Sequence, residues 1–205
     1  MSPRAYDRRR REAAREETRR RIVEATFRLH GRHGGLATTY AMIAREANVS
    51  IPTVYAHFPD TSGLFAACTS HVPPDAPALG PAIFEGKRDL ASRIEALVAA
   101  VFRAHAFWAP WMRWGYAEAA VIPEVARLIE GTRALRAGLV REALGPAFDG
   151  AVPEKLVALA GVLLDFPAWQ LLTSDPSLTP PGAEALVAQA LTLLTSRQRR
   201  KKGKP

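Results

Sequence analysis

Residues 38–60, TTYAMIAREANVSIPTVYAHFPD, start a helix, break it and start a second one, and few folds accommodate that. Thr38 and Thr39 are cap-type residues ahead of a short helix over Tyr40–Ala47. Asn48-Val49-Ser50 interrupts it, a second helix follows over Ile51–Phe58, and Pro59-Asp60 ends that one. Two short helices joined by a three-residue turn make a helix-turn-helix, and its geometry makes residue-by-residue demands. The close crossing needs a small side chain, which Ala44 supplies, and the turn needs a residue that tolerates positive φ, for which Asn48 is suited. Ile43, Ala47, Val49 and Val54 can pack inward together. Ser50 can cap the second helix by accepting from a backbone N–H two or three residues on; Pro52 has none, so Thr53 is the expected donor. Proline in a first turn removes a donor that would be unpaired anyway, so Pro52 reads as a start signal.

The rest of the chain is helical by pattern. Sustained period-two alternation is missing, and β-branched residues are scattered through Ala/Leu/Arg/Glu-rich windows, so the fold class is all-α. Arg15–His30 reads as a first helix with Ile22, Ala25, Thr26 and Leu29 on one stripe and Gly31, Gly34 and Gly35 at its exit. A linking helix is expected from Thr61 to His71, and VPPDAPALGP, residues 72–81, marks a boundary. Beyond it, helices are expected at about 87–107, 109–117, 121–144, 153–173 and 181–198, separated by Gly145-Pro146 and by residues 174–182. The organisation read from the sequence is a basic N-terminal arm over 1–14, expected to be disordered, then a three-helix helix-turn-helix region with its linking helix over 15–71. A second helical region over 82–198 and a basic tail over 199–205, also expected to be disordered, complete it.

Charge and composition bound the function. Residues 1–60 carry 12 Lys+Arg against 7 Asp+Glu, residues 61–196 carry 10 against 13, and the last nine hold six cations and no acid. Positive ends around a mildly acidic middle suit a polyanionic partner. The longest apolar run, Leu156–Leu164, is about half of what a bilayer crossing needs, so no membrane partner is expected. The arginine-rich start has no apolar segment behind it, so a cytoplasmic location is expected. A single cysteine, Cys68, excludes an internal disulfide and any multi-thiolate metal site.

With the apolar positions turned inward, Ile51, Pro52, Thr53 and Ala56 lie on the outer side of the second short helix, at the end that enters the major groove in helix-turn-helix proteins. None has a long charged side chain. Direct readout would therefore rest on the Thr53 hydroxyl and on apolar contact with thymine methyls. Tyr55 and His57 offer polar groups to flanking phosphates, and Thr38, Thr39 and Tyr40 at the start of the preceding helix can do the same.

The run Arg21–Ala67 resembles the DNA-binding domain of the TetR family of bacterial repressors. The paired Thr, Ile-Ala, Ala-x-Val-Ser turn, Thr-Val-Tyr-x-His-Phe and following Leu-Phe carry the match over nearly 50 residues. The resemblance implies phosphate contacts from Thr39, Tyr55 and His57, base contacts from Ile51, Pro52 and Thr53, and a homodimer on double-stranded DNA with a small-molecule effector in its C-terminal helices. Asn48 stands in for the commoner glycine, and Thr61 stands where many members carry a phosphate-binding lysine. The arginines at 4, 8, 9, 10 and 11 are expected to compensate.

In the C-terminal half, AHAFWAPWMRWGY is the most informative stretch. Phe102, Phe107, Trp108, Trp111, Trp114 and Tyr116 fall close together with His105, Met112 and Arg113, which describes either an effector cavity or an ordinary core. As a set they are read as lining a pocket. His105 or Arg113 would favour an anionic or hydrogen-bonding ligand, with Asp165, Trp169 and Gln170 as further candidates. Stripes of Leu156, Leu159, Ala160 and Leu163, and of Leu186, Val187, Ala190, Leu191 and Leu194, either cover their own domain or, as the family resemblance implies, pair with their copies as a four-helix dimer interface. The function expected is a ligand-responsive regulator, a repressor released from a near-palindromic operator by a hydrophobic or aromatic effector. The alternatives are a nonspecific DNA-binding protein and a helical enzyme. For the enzyme, His30 and His33 lack a third ligand at metal spacing, Cys68 beside His71 lacks an activating setting, and no phosphate loop or nucleophile elbow appears; no catalytic residue, cofactor or metal is expected.

Overall fold

Helices of seven residues do not persist alone in water, so the paired short helices must be held by neighbours. In the computed structural model, which describes residues 3–202, those neighbours are α1 (Pro3–His33) and α4 (Thr61–Thr69), packed on α2 (Tyr40–Glu46) and α3 (Ile51–His57). The chain continues through a 3-10 turn (Pro81–Phe84), α5 (Leu90–Glu118), α6 (Pro123–Leu144), a second 3-10 turn (Gly145–Ala147), α7 (Glu154–Leu163), α8 (Phe166–Ser174) and α9 (Pro180–Lys202). No strand is present among the described residues, and the fold is all-α.

The helices form two units that interleave in sequence. The first contains residues up to Pro74 together with Pro110–Ile129; the second contains Asp75–Ala109 and the residues from Glu130 onward. Pro110–Ile129, assigned from the sequence to the C-terminal domain, therefore belongs with the helix-turn-helix. The core of the first unit joins Ile22, Val23, Ala25 and Leu29 of α1 to Ile43, Ala44, Ala47, Val54, Phe58 and Leu64. A smaller cluster in the same unit joins Ile122, Val125 and Ile129 to Phe65, Met112, Tyr116 and Ala119. In the second unit, α5, α6, α7 and α9 share one core that includes Ile94, Val98, Phe102, Val140, Leu156, Leu164, Val187 and Leu191.

Four expected boundaries differ. Residues 3–14, read as an arm ahead of the first helix, are helical: Arg/Glu/Ala-rich sequence with little Gly or β-branching favours helix, and exposed pairs such as Arg8–Glu12 and Arg20 with Glu17 and Glu24 support it. Residues 199–202, read as tail, end α9, while residues 1–2 and 203–205 lie outside the described residues. The helix expected over 87–107 and the one over 109–117 are one helix that runs through Pro110, and the one expected over 153–173 is two, α7 and α8, bent by 46° at Leu164-Asp165. Among the described residues no single helix is long and apolar enough to cross a membrane.

Candidate functional site

The two short helices start where their caps dictate. Thr39 is extended (φ −102°, ψ 158°) and its hydroxyl accepts from Met42 N at 3.3 Å, which fixes the first turn of α2 and leaves the O–H to donate outward. Asn48 occupies the left-handed region at φ 53°, which lets the chain reverse in three residues. Ser50 then accepts from Thr53 N at 3.2 Å, and the two hydroxyl oxygens sit 2.7 Å apart, so Ser50 and Thr53 hold one another at the front of α3. Asp60 caps α4 by accepting from Gly63 N at 2.7 Å, a role readable from its place ahead of the helix but not read.

On α3, Val54 is fully buried and turns the opposite side outward: Ile51, Pro52, Tyr55 and Ala56 are exposed and Thr53 and His57 partly so. Tyr55 packs against Tyr40 with ring centroids 4.6 Å apart. Two residues grouped with the phosphate contacts spend their hydroxyls internally. Tyr40 donates to Phe58 O at 2.9 Å and Thr38 to Gly34 O at 2.7 Å, so both hold the helix-turn-helix together. Thr61 is exposed at the first position of α4.

Cations flank this face from α1. The imidazole of His57 is held below its usual pKa by partial desolvation and then by the positive charges of Arg15 and Arg19 nearby, and the Arg19 guanidinium lies 5.0 Å over the Phe58 ring. The sequence reading missed Arg15 and Arg19, and a helical projection of α1 carried back past Arg15 would have found them. Elsewhere on α1, Arg28 and Arg32 reach Glu46 at 2.9 and 3.5 Å and tie it to α2.

The residues of the aromatic run of α5 divide between the two units. Trp111, Trp114 and Glu118 form an i, i+3, i+7 row in the first unit. Trp111 stacks on Phe27 at 4.3 Å and donates from Nε1 to Phe27 O at 2.7 Å. Its indole lies so close to Gly31 that a Cβ there would come within 2.9 Å of it, which is why α1 carries glycine at that point. The Glu118 carboxylate, 8% exposed, accepts from Gly35 N at 2.9 Å and Leu36 N at 3.1 Å, closing the loop between α1 and α2, in which Gly34 has φ +82°. Tyr116 packs in the Ile122/Val125/Ile129 cluster, Arg113 is exposed in the first unit, and Ser62 of α4 donates to Glu124 at 2.7 Å.

The remaining candidates lie in the second unit. Phe102 is in its core, and Phe107 and Trp108 meet edge to face at 5.0 Å. His105, 5% exposed, has Nε2 3.0 Å from Leu164 O and rings of Phe166 and Trp169 at 5.6 and 5.8 Å. Burial holds its imidazole down to about 4, so it is neutral at pH 7. Asp165 is paired with Arg133 and Arg136, and Gln170 is exposed.

The residues raised for enzyme chemistry have other partners. Cys68 is buried and faces His30 Nδ1 at 3.5 Å, not His71; desolvation raises the thiol to about 12 and lowers the imidazole to about 4, the reverse of an activated pair. His30 stacks on Phe65 at 4.9 Å, and no group of three or more His, Cys, Asp or Glu side chains gathers for a metal ion among the described residues.

A capped short helix presented outward beside cations defines a helix-turn-helix DNA-binding protein. The sequence profile of the bacterial regulatory proteins, tetR family, matches residues 22–68, and the chain has the fold of TetR-family transcriptional regulators. Among solved structures it is similar to a transcriptional regulator from Saccharomonospora viridis in complex with choline, with TM-score 0.64 and 20% identity, covering 86% of this chain and 94% of that one. A tetR-family regulator from Streptomyces coelicolor matches with TM-score 0.60 and 20% identity over 92% of this chain and 86% of that one. GusR of Salmonella enterica matches with TM-score 0.53 and 18% identity over 88% and 96%. No curated protein matches by sequence.

Proposed function

We propose that the chain is a ligand-responsive transcriptional repressor that binds a near-palindromic operator as a homodimer. The observation that carries this reading is the outward face of α3, where Ile51, Pro52 and Tyr55 are exposed while the Ser50 cap fixes the helix start. In this reading Ile51, Pro52 and the Thr53 methyl meet base edges, and Thr39, Tyr55, His57, Arg15 and Arg19 meet phosphates.

A single domain reads one half-site, so a second copy is required for a palindrome. The apolar stripes noted in the sequence divide. Leu156, Ala160, Val187 and Leu191 are buried in the unit's own core, whereas Leu159, Val162, Leu186 and Leu193 remain 42–70% exposed along α7 and α9. Those four supply the dimer contact. Half-sites then lie roughly 34–36 Å apart or a multiple of that.

The second unit holds the effector, a role in keeping with the similar S. viridis regulator that binds choline. Effector binding favours a conformation that no longer fits the operator, by no more than its differential affinity for the two conformations. Both His105 and Glu118 stand on the unbroken backbone of α5, so the helix that would sense the effector also closes the loop ahead of α2. Footprinting on genomic DNA followed by competition against random duplex at fixed salt tests the reading. A repressor prefers its operator by about a thousandfold or more, whereas equal affinity for both duplexes supports a nonspecific DNA binder.

A further inference from the structure

At the corner between α7 and α8, two arginines meet one carboxylate. Arg133 donates from Nε and a terminal nitrogen to Asp165 Oδ2 at 2.9 and 2.7 Å, and Arg136 donates to Oδ1. Arg136 is 4% exposed, and its Nε–H, wholly buried, meets no acceptor. Burying a guanidinium costs several kcal/mol unless its donors are satisfied, and a buried ion pair is at best about as stabilising as the apolar residues that could replace it. Stability therefore gives no reason for a second arginine here. Two guanidinium groups converge there on one carboxylate, and His105, kept neutral by burial, adds no charge.

The walls are aromatic. Phe166 and Trp169 lie 5.3 Å apart, and both rings approach His105, whose Nε2 at Leu164 O pins the corner to α5. An orphan buried guanidinium donor and three adjacent rings ask for one kind of molecule: an acceptor-bearing anion attached to a flat apolar body. We infer that this corner is the effector site and that it takes an aromatic carboxylate, with Arg136 Nε–H donating to the carboxylate and the ring lying against His105, Phe166 and Trp169. Binding there would compete with Asp165 for the arginines and so loosen the tie between α6 and the start of α8. The inference rests on the ligand-responsive reading above.

The test is calorimetric titration of the full chain with 2-naphthoate, with its neutral isostere 2-naphthamide, and with tetramethylammonium. We expect 2-naphthoate to bind about tenfold or more tighter than 2-naphthamide, as a charge-assisted bond to a buried guanidinium requires, and tetramethylammonium not to bind. Arg136→Met, an apolar replacement of similar length that leaves Asp165 paired with Arg133, should erase the tenfold preference. The ¹⁵N–¹H signal of Arg136 Nε in the unaltered protein gives a second readout independent of the variant's folding, and it should shift on adding 2-naphthoate. Equal binding of naphthoate and naphthamide, or an unmoved Nε signal, overturns the site. Operator binding by the ligand-free protein, and its release by some other compound, would then still support the regulator reading, so the two can fail separately.

Discussion

Replacing Glu118 by alanine tests how the first unit holds its DNA-binding helices. The carboxylate accepts from two backbone N–H groups, Gly35 at 2.9 Å and Leu36 at 3.1 Å, where the loop turns through Gly34 at φ +82°. Gly35 is buried, so its orphaned donor has no water to turn to and costs about 2–3 kcal/mol; Leu36 is more accessible and costs about 1 kcal/mol or less. The sum, about 3 kcal/mol, is a large fraction of the stability of a small domain. With a urea slope of about 2 kcal/mol/M, the unfolding midpoint should fall by about 1.5 M. Glu118→Gln keeps one acceptor oxygen and should lose about half as much. Since α2 begins four residues after Leu36, operator affinity should fall in the same order, Ala below Gln below wild type. A Glu118→Ala protein within about 0.5 kcal/mol of wild type would refute the reasoning.

Three further outcomes follow from the geometry. Cys68, with its thiol near 12 and 5% exposed, should resist iodoacetamide at pH 8 in the native chain and react on unfolding in urea, followed by mass spectrometry. His105 is neutral in the folded state down to about pH 4 but takes a proton near 6.5 when unfolded. The stability it contributes is complete above pH 6.5 and is lost by about 3 kcal/mol as pH falls to 4; a His105→Gln variant should lack that part of the slope in pH-dependent urea melts, and an unchanged slope counts against it. Leu193→Asp, a charge at a 70% exposed leucine of α9, should convert a dimer to a folded monomer in light scattering, and a dimer that persists would place the interface elsewhere.

What the sequence made legible was whatever a few neighbouring residues decide. The Ser50 cap with Thr53 as donor and the positive φ of Asn48 follow from local chemistry, and the structure has both. Glu118 and Gly35 are 83 residues apart, and no local pattern announces their bond. The same holds for Trp111 on Phe27, 84 residues apart, and for Arg136 on Asp165. The aromatic run lies on a 29-residue helix whose two ends belong to different units, a division that local sequence does not mark. The stripes of Leu156 and Leu191 left own core and partner interface both open, because a helical stripe carries no mark of which it faces; both residues lie in the core.

The central claim is that the outer edge of α3 carries DNA recognition, and a gel-shift titration of a combined Thr53→Ala, Tyr55→Ala protein against the footprinted operator tests it most directly. Val54, Ile43 and Ala44, which hold the helix in place, are untouched by those changes, so circular dichroism should confirm the fold. The account predicts that operator affinity falls at least about a hundredfold, toward that for random duplex, as loss of both a base contact and a phosphate contact implies. Operator affinity equal to wild type, in a protein that remains folded, would contradict it.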